Sequence, residues 1–292
     1  MILLEGKSIA EKIKKTLATE VVALGYTPRL AIIVVGKNSV SEIFVKLKEK
    51  FANDIGAQTR RYEFDESITT NELRARMKDI VHEPQNRGVI VQLPLPAHID
   101  AQSILNTVVP EKDVDVLSAR AVGDFQVGKA KVLPPVAGAV RALFEKYNIG
   151  VHGKRVAVLG YGRLVGQPLA LWCLREGGLV TIVSDEKNFD PAVLKNADIV
   201  ISGIGIPRFI KGEYIKDGAV VVDVGTSEMA GPPRPTSTEN LSKRVGAGEM
   251  VGDVDFDSVS KRAAFITPTQ GGVGPLTVAT VFQNLFLLAS KK

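Results

Sequence analysis

The chain has 292 residues, room for one large domain or two of ordinary size. Its 45% hydrophobic and 24% charged residues exclude wholesale disorder. The net charge of +5 is spread without a basic block longer than a pair, so a small polyanion is a better expected ligand than nucleic acid. The one cysteine, Cys173 in LALWCL, excludes an internal disulfide and reads as a buried thiol. His82, His98 and His152 lie far apart, so no metal site is expected. No apolar run of ~18 residues occurs, and the N-terminus lacks a basic stretch followed by an apolar core. The expectation is a cytoplasmic protein without a membrane segment.

Apolar residues recur every four positions at Ile9, Ile13, Leu17 and Val21, which predicts a helix over 8–24. RLAIIVVG (29–36) predicts a buried strand ending at glycine. Val40–Ile55 returns to helical spacing and stops at Gly56. A strand over 58–64, a helix over 71–81 and an apolar strand over 88–92 follow. This alternation, with apolar strands, predicts a parallel sheet covered on both faces by helices. Pro94, Pro96 and Pro110 interrupt the pattern, 116–133 reads as irregular, and 136–147 reads as a helix bridging two lobes. A second alternation begins at Arg155: strand RVAVLG, a helix over 165–176, then strands LVTIVS, ADIVISGIG and GAVVVDVG. Residues 227–243, with three prolines, read as a loop, and 273–290 as a final apolar helix. Two α/β lobes are therefore expected: 1–138 with 273–292, and 139–272.

The most specific local pattern is GYGRLVG, Gly160–Gly166, which follows a predicted strand and opens a predicted helix. In that context Gly160 permits a tight turn, Gly162 lets a pyrophosphate approach the backbone, and the helix start offers free N–H groups. The third glycine comes one residue later than in GxGxxG, so a plain strand–turn–helix stays open as an alternative. Asp185 follows the next strand, where an acid accepts hydrogen bonds from a ribose. Arg163 and Lys187 could meet a phosphate instead. In the first lobe Phe44 and Lys48 share a helical face. On spacing alone, a lysine inside KLKEK belongs to a solvated face. Gln92 in VQLPLP stands at a strand's carboxyl end, where open α/β sheets place ligands. KDVD, ending at Asp115, reads as a capped turn or a ligand loop. GGVGP, ending at Pro275, reads as a helix cap or an anion cradle.

Together these segments resemble the methylenetetrahydrofolate dehydrogenase/methenyltetrahydrofolate cyclohydrolase family of one-carbon metabolism. The order carries the likeness: VGKNSVSEIFVKLK, VIVQLPLPAHID, PEKDVD, GYGRLVGQP, DVG, GDVDF, ITPTQGGVGPLT. The resemblance implies an α/β fold of two lobes, an N-terminal folate lobe and a C-terminal Rossmann-like nucleotide lobe with a cleft between. It also implies a final helix returning to the folate lobe, and a homodimer. It puts catalytic roles on Lys48, Gln92 and Asp115, substrate contacts on Phe44 and Pro275, and nucleotide contacts on Gly160, Tyr161, Gly162, Asp185 and Thr226.

The chain also departs from the family's pattern. Phe44 replaces the motif tyrosine, so a ring remains to stack on a pterin but the hydroxyl beside Lys48 is gone. Val116-Leu117 replaces Gly-Phe or Gly-Leu, and Pro134-Pro135-Val136-Ala137 replaces Pro-Cys-Thr-Pro. Thr267-Pro268-Thr269-Gln270-Gly271-Gly272 replaces Thr-Pro-Val-Pro-Gly-Gly. Tyr161 and Asp185 fall where the family's arginine and serine grip the 2′-phosphate of NADP. Losing one charged hydrogen bond costs ~1.5–3 kcal/mol, so NAD is favoured over NADP as cofactor. The implied reaction oxidises methylenetetrahydrofolate and then opens the methenyl ring with water, the latter step using Lys48. The alternatives are a monofunctional NAD-dependent dehydrogenase, a non-catalytic folate- or nucleotide-binding protein, and an unrelated shikimate-type dehydrogenase.

Overall fold

A computed structural model of the chain describes residues 1–225, 227–229 and 249–290. They fall into two compact units, Lys7–Ala142 with Pro275–Lys292, and Met1–Gly6 with Leu143–Gly274. The first strand, β1 (Ile2–Leu3), explains why residues 1–6 group with the second unit rather than the first, where the sequence put them. It pairs in parallel with Phe265–Ile266, a strand of that unit.

The first of these units holds helix α1 (Lys7–Ala23), strand β2 (Arg29–Val35), α2 (Ser39–Ile55), β3 (Gln58–Phe64), α3 (Thr70–His82) and β4 (Asn86–Val91). The three strands form a parallel sheet in the order β3-β2-β4. Central β2 is buried along nearly its whole length, as its apolar sequence requires, whereas edge strand β3 alternates polar and part-buried residues. Asn38 caps α2 at its start and Gly56, with φ +77°, ends it. Thr69 and Glu72 form a reciprocal capping box on α3.

Two short helices follow, α4 (Ala101–Leu105) and α5 (Ala119–Gln126). The sequence reading had 116–133 as irregular. Ser118 starts α5 by accepting from the Ala121 amide, and only Ala121 and Phe125 of the helix are buried, too few to show a period.

The second unit continues through α6 (Pro135–Lys146), within which the boundary falls. It then adds β5 (Arg155–Leu159), α7 (Gly166–Arg175), β6 (Leu179–Val183), α8 (Pro191–Lys195), β7 (Ile199–Ser202) and β8 (Val220–Asp223). A short antiparallel pair, β9 (Ser227–Met229) and β10 (Glu249–Val251), comes next, then α9 (Phe256–Val259) and β11 (Phe265–Ile266), while α10 (Val273–Ala289) belongs from Pro275 onward to the first unit. Six parallel strands lie in the order β1-β11-β8-β7-β5-β6. The chain leaves β5 for β6 on one side and returns to β7 on the other. The carboxyl end of β5 is therefore the switch point at which doubly wound sheets bind ligands. LVTIV, expected as a strand, is one, and lies at the sheet's edge with Leu179 and Ile182 exposed.

Candidate functional site

In the first unit, α2 points a lysine inward. Ser41, Val45, Ala52 and Ile55 are buried at helical spacing, and Lys48 falls in the middle of that stripe. Its side chain is half-buried rather than on the solvated face that KLKEK suggested. Lys48 Nζ donates to Gln92 Oε1 at 3.1 Å. Gln92 stands one residue beyond β4, where its backbone N–H bonds the Ile33 carbonyl and its Nε2 donates to the Leu93 carbonyl. That second bond fixes the amide so that Oε1 faces the lysine.

Asp115 completes the cluster from the loop between α4 and α5. The loop is anchored on both sides. Val89 N–H bonds the Lys112 carbonyl, and the buried Asp113 carboxylate accepts from the Leu117 and Ser118 amides. From α10, Asn284 Nδ2 donates to the carbonyls of Val114 and Leu133 at 2.8 Å each. Val116 holds φ +57°, a left-handed conformation that costs a β-branched residue about 1–2 kcal/mol, so this loop is held by its surroundings rather than by local preference.

The charges in the cluster are mutually tuned. Burial pushes the Lys48 ammonium below its ordinary value, and Asp115 opposes this. Burial pushes the Asp115 carboxyl up to about 6, with Lys48 pulling it down and Asp113 raising it further. Lys48 and Asp115 interact electrostatically without closing to an ion pair. Burial thus favours the neutral lysine beside an acid that ionises at about pH 6, a pairing suited to proton transfer.

Phe44 lies one turn before Lys48 and is half-buried. Pro275 stands in the first turn of α10 and is half-buried. Among the described residues, no hydrogen bond or ring contact ties either to Lys48, Gln92 or Asp115, so the structure joins three of the five expected residues directly. Asp113 and Asn284, which position the Asp115 loop, went unnoticed in the sequence. The signal for Asn284 was there: a lone asparagine inside the apolar run VATVFQNLFLLA.

In the second unit the glycine loop sits at the switch point. Gly160 has φ +83°, its N–H bonds the Val183 carbonyl, and a Cβ there would fall 2.5 Å from the Gly203 carbonyl oxygen. A Cβ on Gly166 would fall 1.9 Å from the Gly160 carbonyl oxygen, so α7 packs directly on the turn. Gly162, by contrast, faces open space. Val165, just before α7, supplies no side-chain cap; the Gln167 N–H bonds the Gly162 carbonyl and Pro168 has no N–H, so the Gly166 N–H is the first-turn donor left over. Arg163 Nη1 is buried without a hydrogen-bond partner. Tyr161 is exposed, and Asp185 accepts from the Lys187 N–H at 3.0 Å. Thr226, expected at the nucleotide, lies outside the described residues.

The comparisons agree with this geometry. Residues 4–115 match the family model described as tetrahydrofolate dehydrogenase/cyclohydrolase, catalytic domain, and residues 134–292 match its NAD(P)-binding domain. The chain belongs to the tetrahydrofolate dehydrogenase/cyclohydrolase family. It is 37% identical to bifunctional protein FolD 2 of Geobacter metallireducens, across 99% of this chain and 97% of that protein. The crystal structure of the bifunctional enzyme FolD from Campylobacter jejuni superposes with a TM-score of 0.89 at 34% identity, covering 99% and 98% of the two chains. The Trypanosoma brucei FolD, solved with NADP and an inhibitor, gives 0.91 at 35% identity, covering 99% and 97%. Among the described residues, no helix is long and apolar enough to cross a membrane, and no cluster of His, Cys, Asp and Glu could hold a metal.

Proposed function

We propose that this protein oxidises methylenetetrahydrofolate to methenyltetrahydrofolate with a nicotinamide dinucleotide, then hydrolyses the product to formyltetrahydrofolate. The observation that carries this reading is the Lys48–Gln92–Asp115 cluster, in a chain of this family whose other unit has a glycine loop at a sheet switch point.

The glycine loop fits a dinucleotide. Gly162 leaves room for a pyrophosphate, the start of α7 keeps the Gly166 N–H, and Arg163 has an unused charged donor. When bound, the nicotinamide supplies the hydride acceptor. Tyr161 contributes no charge where a 2′-phosphate would sit, and Asp185 repels one while accepting from a ribose, which supports NAD over NADP.

Asp115, ionised above about pH 6, accepts from the amino and ring N–H groups of the pterin and fixes its register. Phe44 offers a face for stacking. In ring opening, Lys48 relays a proton between the attacking water and the departing ring nitrogen. Burial shifts it toward the neutral form that can take a proton, and Gln92 holds Nζ in place. The missing tyrosine hydroxyl leaves Gln92 as the oriented partner of the ammonium, so ring opening is retained but weaker than it would be with that hydroxyl.

The test is an ultraviolet assay with methylenetetrahydrofolate and either NAD or NADP, read for reduced cofactor and for methenyl product before and after acid. Reduction with NAD in preference to NADP, and extra methenyl signal only after acid, are expected. Lys48→Met should retain folate binding and lose ring opening. Ring opening by Lys48→Met at the wild-type rate would overturn the role given to this lysine. The reading includes a cytoplasmic homodimer. The exposed Leu174, Leu179 and Ile182 on and beside edge strand β6 support a second copy as partner. Sedimentation velocity showing only a 31.4 kDa species would remove that part.

A further inference from the structure

Lys48 is held at its tip by one hydrogen bond, so its placement depends on where α2 lies on the sheet. One residue grips that helix from outside the site. Arg61, in the middle of edge strand β3, opposite Ile32 of β2, reaches two glutamates of α2. Its Nη1 donates to both carboxylate oxygens of Glu42, at 3.0 and 2.9 Å. Its Nη2 donates to Glu49 Oε2 at 2.7 Å, and its Nε pairs with Glu49 Oε1. The guanidinium thus makes two forked contacts, the geometry in which arginine is most specific.

The placement of these contacts matters more than their number. Glu42 and Glu49 are seven residues apart, nearly two helical turns or about 10 Å of rise, and so lie on one side of α2. That side is the rim of the buried stripe toward β3. Lys48 lies between the two glutamates in sequence and one position before Glu49. A clamp at both ends of this segment opposes sliding along the helix axis and rolling about it. The Arg61 side chain is 23% exposed and Glu49 28%, so that pair is partly sheltered from water, while Glu42 at 39% is more open. Glu63, across from Arg61 at 3.7 Å, is 69% exposed and is a peripheral member.

We propose that Arg61 is a positioning residue for ring opening: by clamping Glu42 and Glu49 it sets α2 so that Lys48 meets Gln92, the restraint that the absent tyrosine hydroxyl no longer gives. The inference rests on the ring-opening activity proposed above. The hydride step uses Asp115 and the nucleotide loop and does not need the ammonium of Lys48, so it is insensitive to the clamp. An error of ~1 Å in a catalytic group costs about 10²-fold, so a small shift of α2 is enough to read.

The experiment compares wild type with Arg61→Met, Arg61→Lys and the double variant Glu42→Gln/Glu49→Gln. It measures kcat and KM for ring opening and for dehydrogenation on the same preparations. Arg61→Met and the double glutamine variant should lower kcat for ring opening by about tenfold or more, with its KM and the dehydrogenase kcat within about twofold of wild type. Arg61→Lys, which keeps the charge but loses the fork, should fall between. The double variant decides the matter if Arg61→Met does not fold, because Gln retains the shape of the glutamates. Equal loss of both activities, or no loss of either, overturns the clamp while leaving the proposed function standing. A wild-type protein that does not open the methenyl ring overturns both.

Discussion

Replacing Gly166 with alanine should separate the two activities, and the structure sets the scale. A Cβ at this position would lie 1.9 Å from the Gly160 carbonyl oxygen, 2.8 Å from its carbon and 2.9 Å from the Tyr161 Cα. Ordinary contact begins at 3.4 Å, so the start of α7 and the turn after β5 must part by 3.4 − 1.9 = 1.5 Å. All three neighbours are backbone, so no rotamer change relieves the clash. Overpacking of this kind costs about 1–3 kcal/mol, and displacement by more than ~1 Å of a ligand-orienting loop costs about 10²-fold in rate. The dehydrogenase kcat/KM for the nucleotide should therefore fall at least ~10²-fold. Lys48, Gln92 and Asp115 belong to the other unit, so ring opening should stay within about twofold. The assay follows reduced nucleotide at 340 nm and methenyl absorbance on the same enzyme, with a nucleotide titration to obtain KM. A variant with wild-type nucleotide KM and dehydrogenase rate would refute the close packing of α7 on the turn. Loss of both activities together would refute the independence of the two sites.

Three further outcomes are expected. The Asp115 carboxyl is pushed up to about 6 from an ordinary 3.8, so the folded state binds more protons in that window. Stability is then lost as pH rises from about 4 to 6, and Asp115→Asn should match or exceed wild type in melting temperature at pH 7. The same group makes the wild-type KM for folate fall as pH rises through about 6, and a flat profile in the asparagine variant checks it. Arg29, 8% exposed at the amino end of β2, donates to Asn86 Oδ1 at 2.7 Å and Gln85 Oε1 at 2.6 Å and pairs with Glu83. Arg29→Met should cost about 2–3 kcal/mol, below the full buried-pair figure because Glu83 keeps Arg60 and some water. Denaturant titration should show a lower midpoint at unchanged slope, with kinetic constants intact because the cluster lies at the opposite end of the strands. Asp185→Ser removes a charge that opposes a 2′-phosphate and should raise the NADP-to-NAD ratio of kcat/KM by ~10-fold or more. An unchanged ratio removes Asp185 from cofactor choice.

The linear sequence determined the two α/β alternations, because apolar runs of strand length and apolar residues at helical spacing are local properties. β2 and β5 lie within a residue or two of where their apolar runs place them. The chemistry-bearing segments were equally legible, since Gly160 and Gln92 stand at strand ends and KDVD forms a polar turn after a helix, whatever the packing. Short elements were not legible. β1 and β11, two residues each, exist only because they pair with one another and with β8, and α5 depends on a serine cap and two buried side chains. Nor could spacing decide that Lys48 points inward. A lysine in KLKEK fits a solvated face, and it becomes a tuned ammonium only when α2 packs on the sheet and burial removes water from it. The same holds for Val116, Asn284 and Arg61. Each acts on a residue distant in sequence or is held by one, so only the folded chain shows what it does.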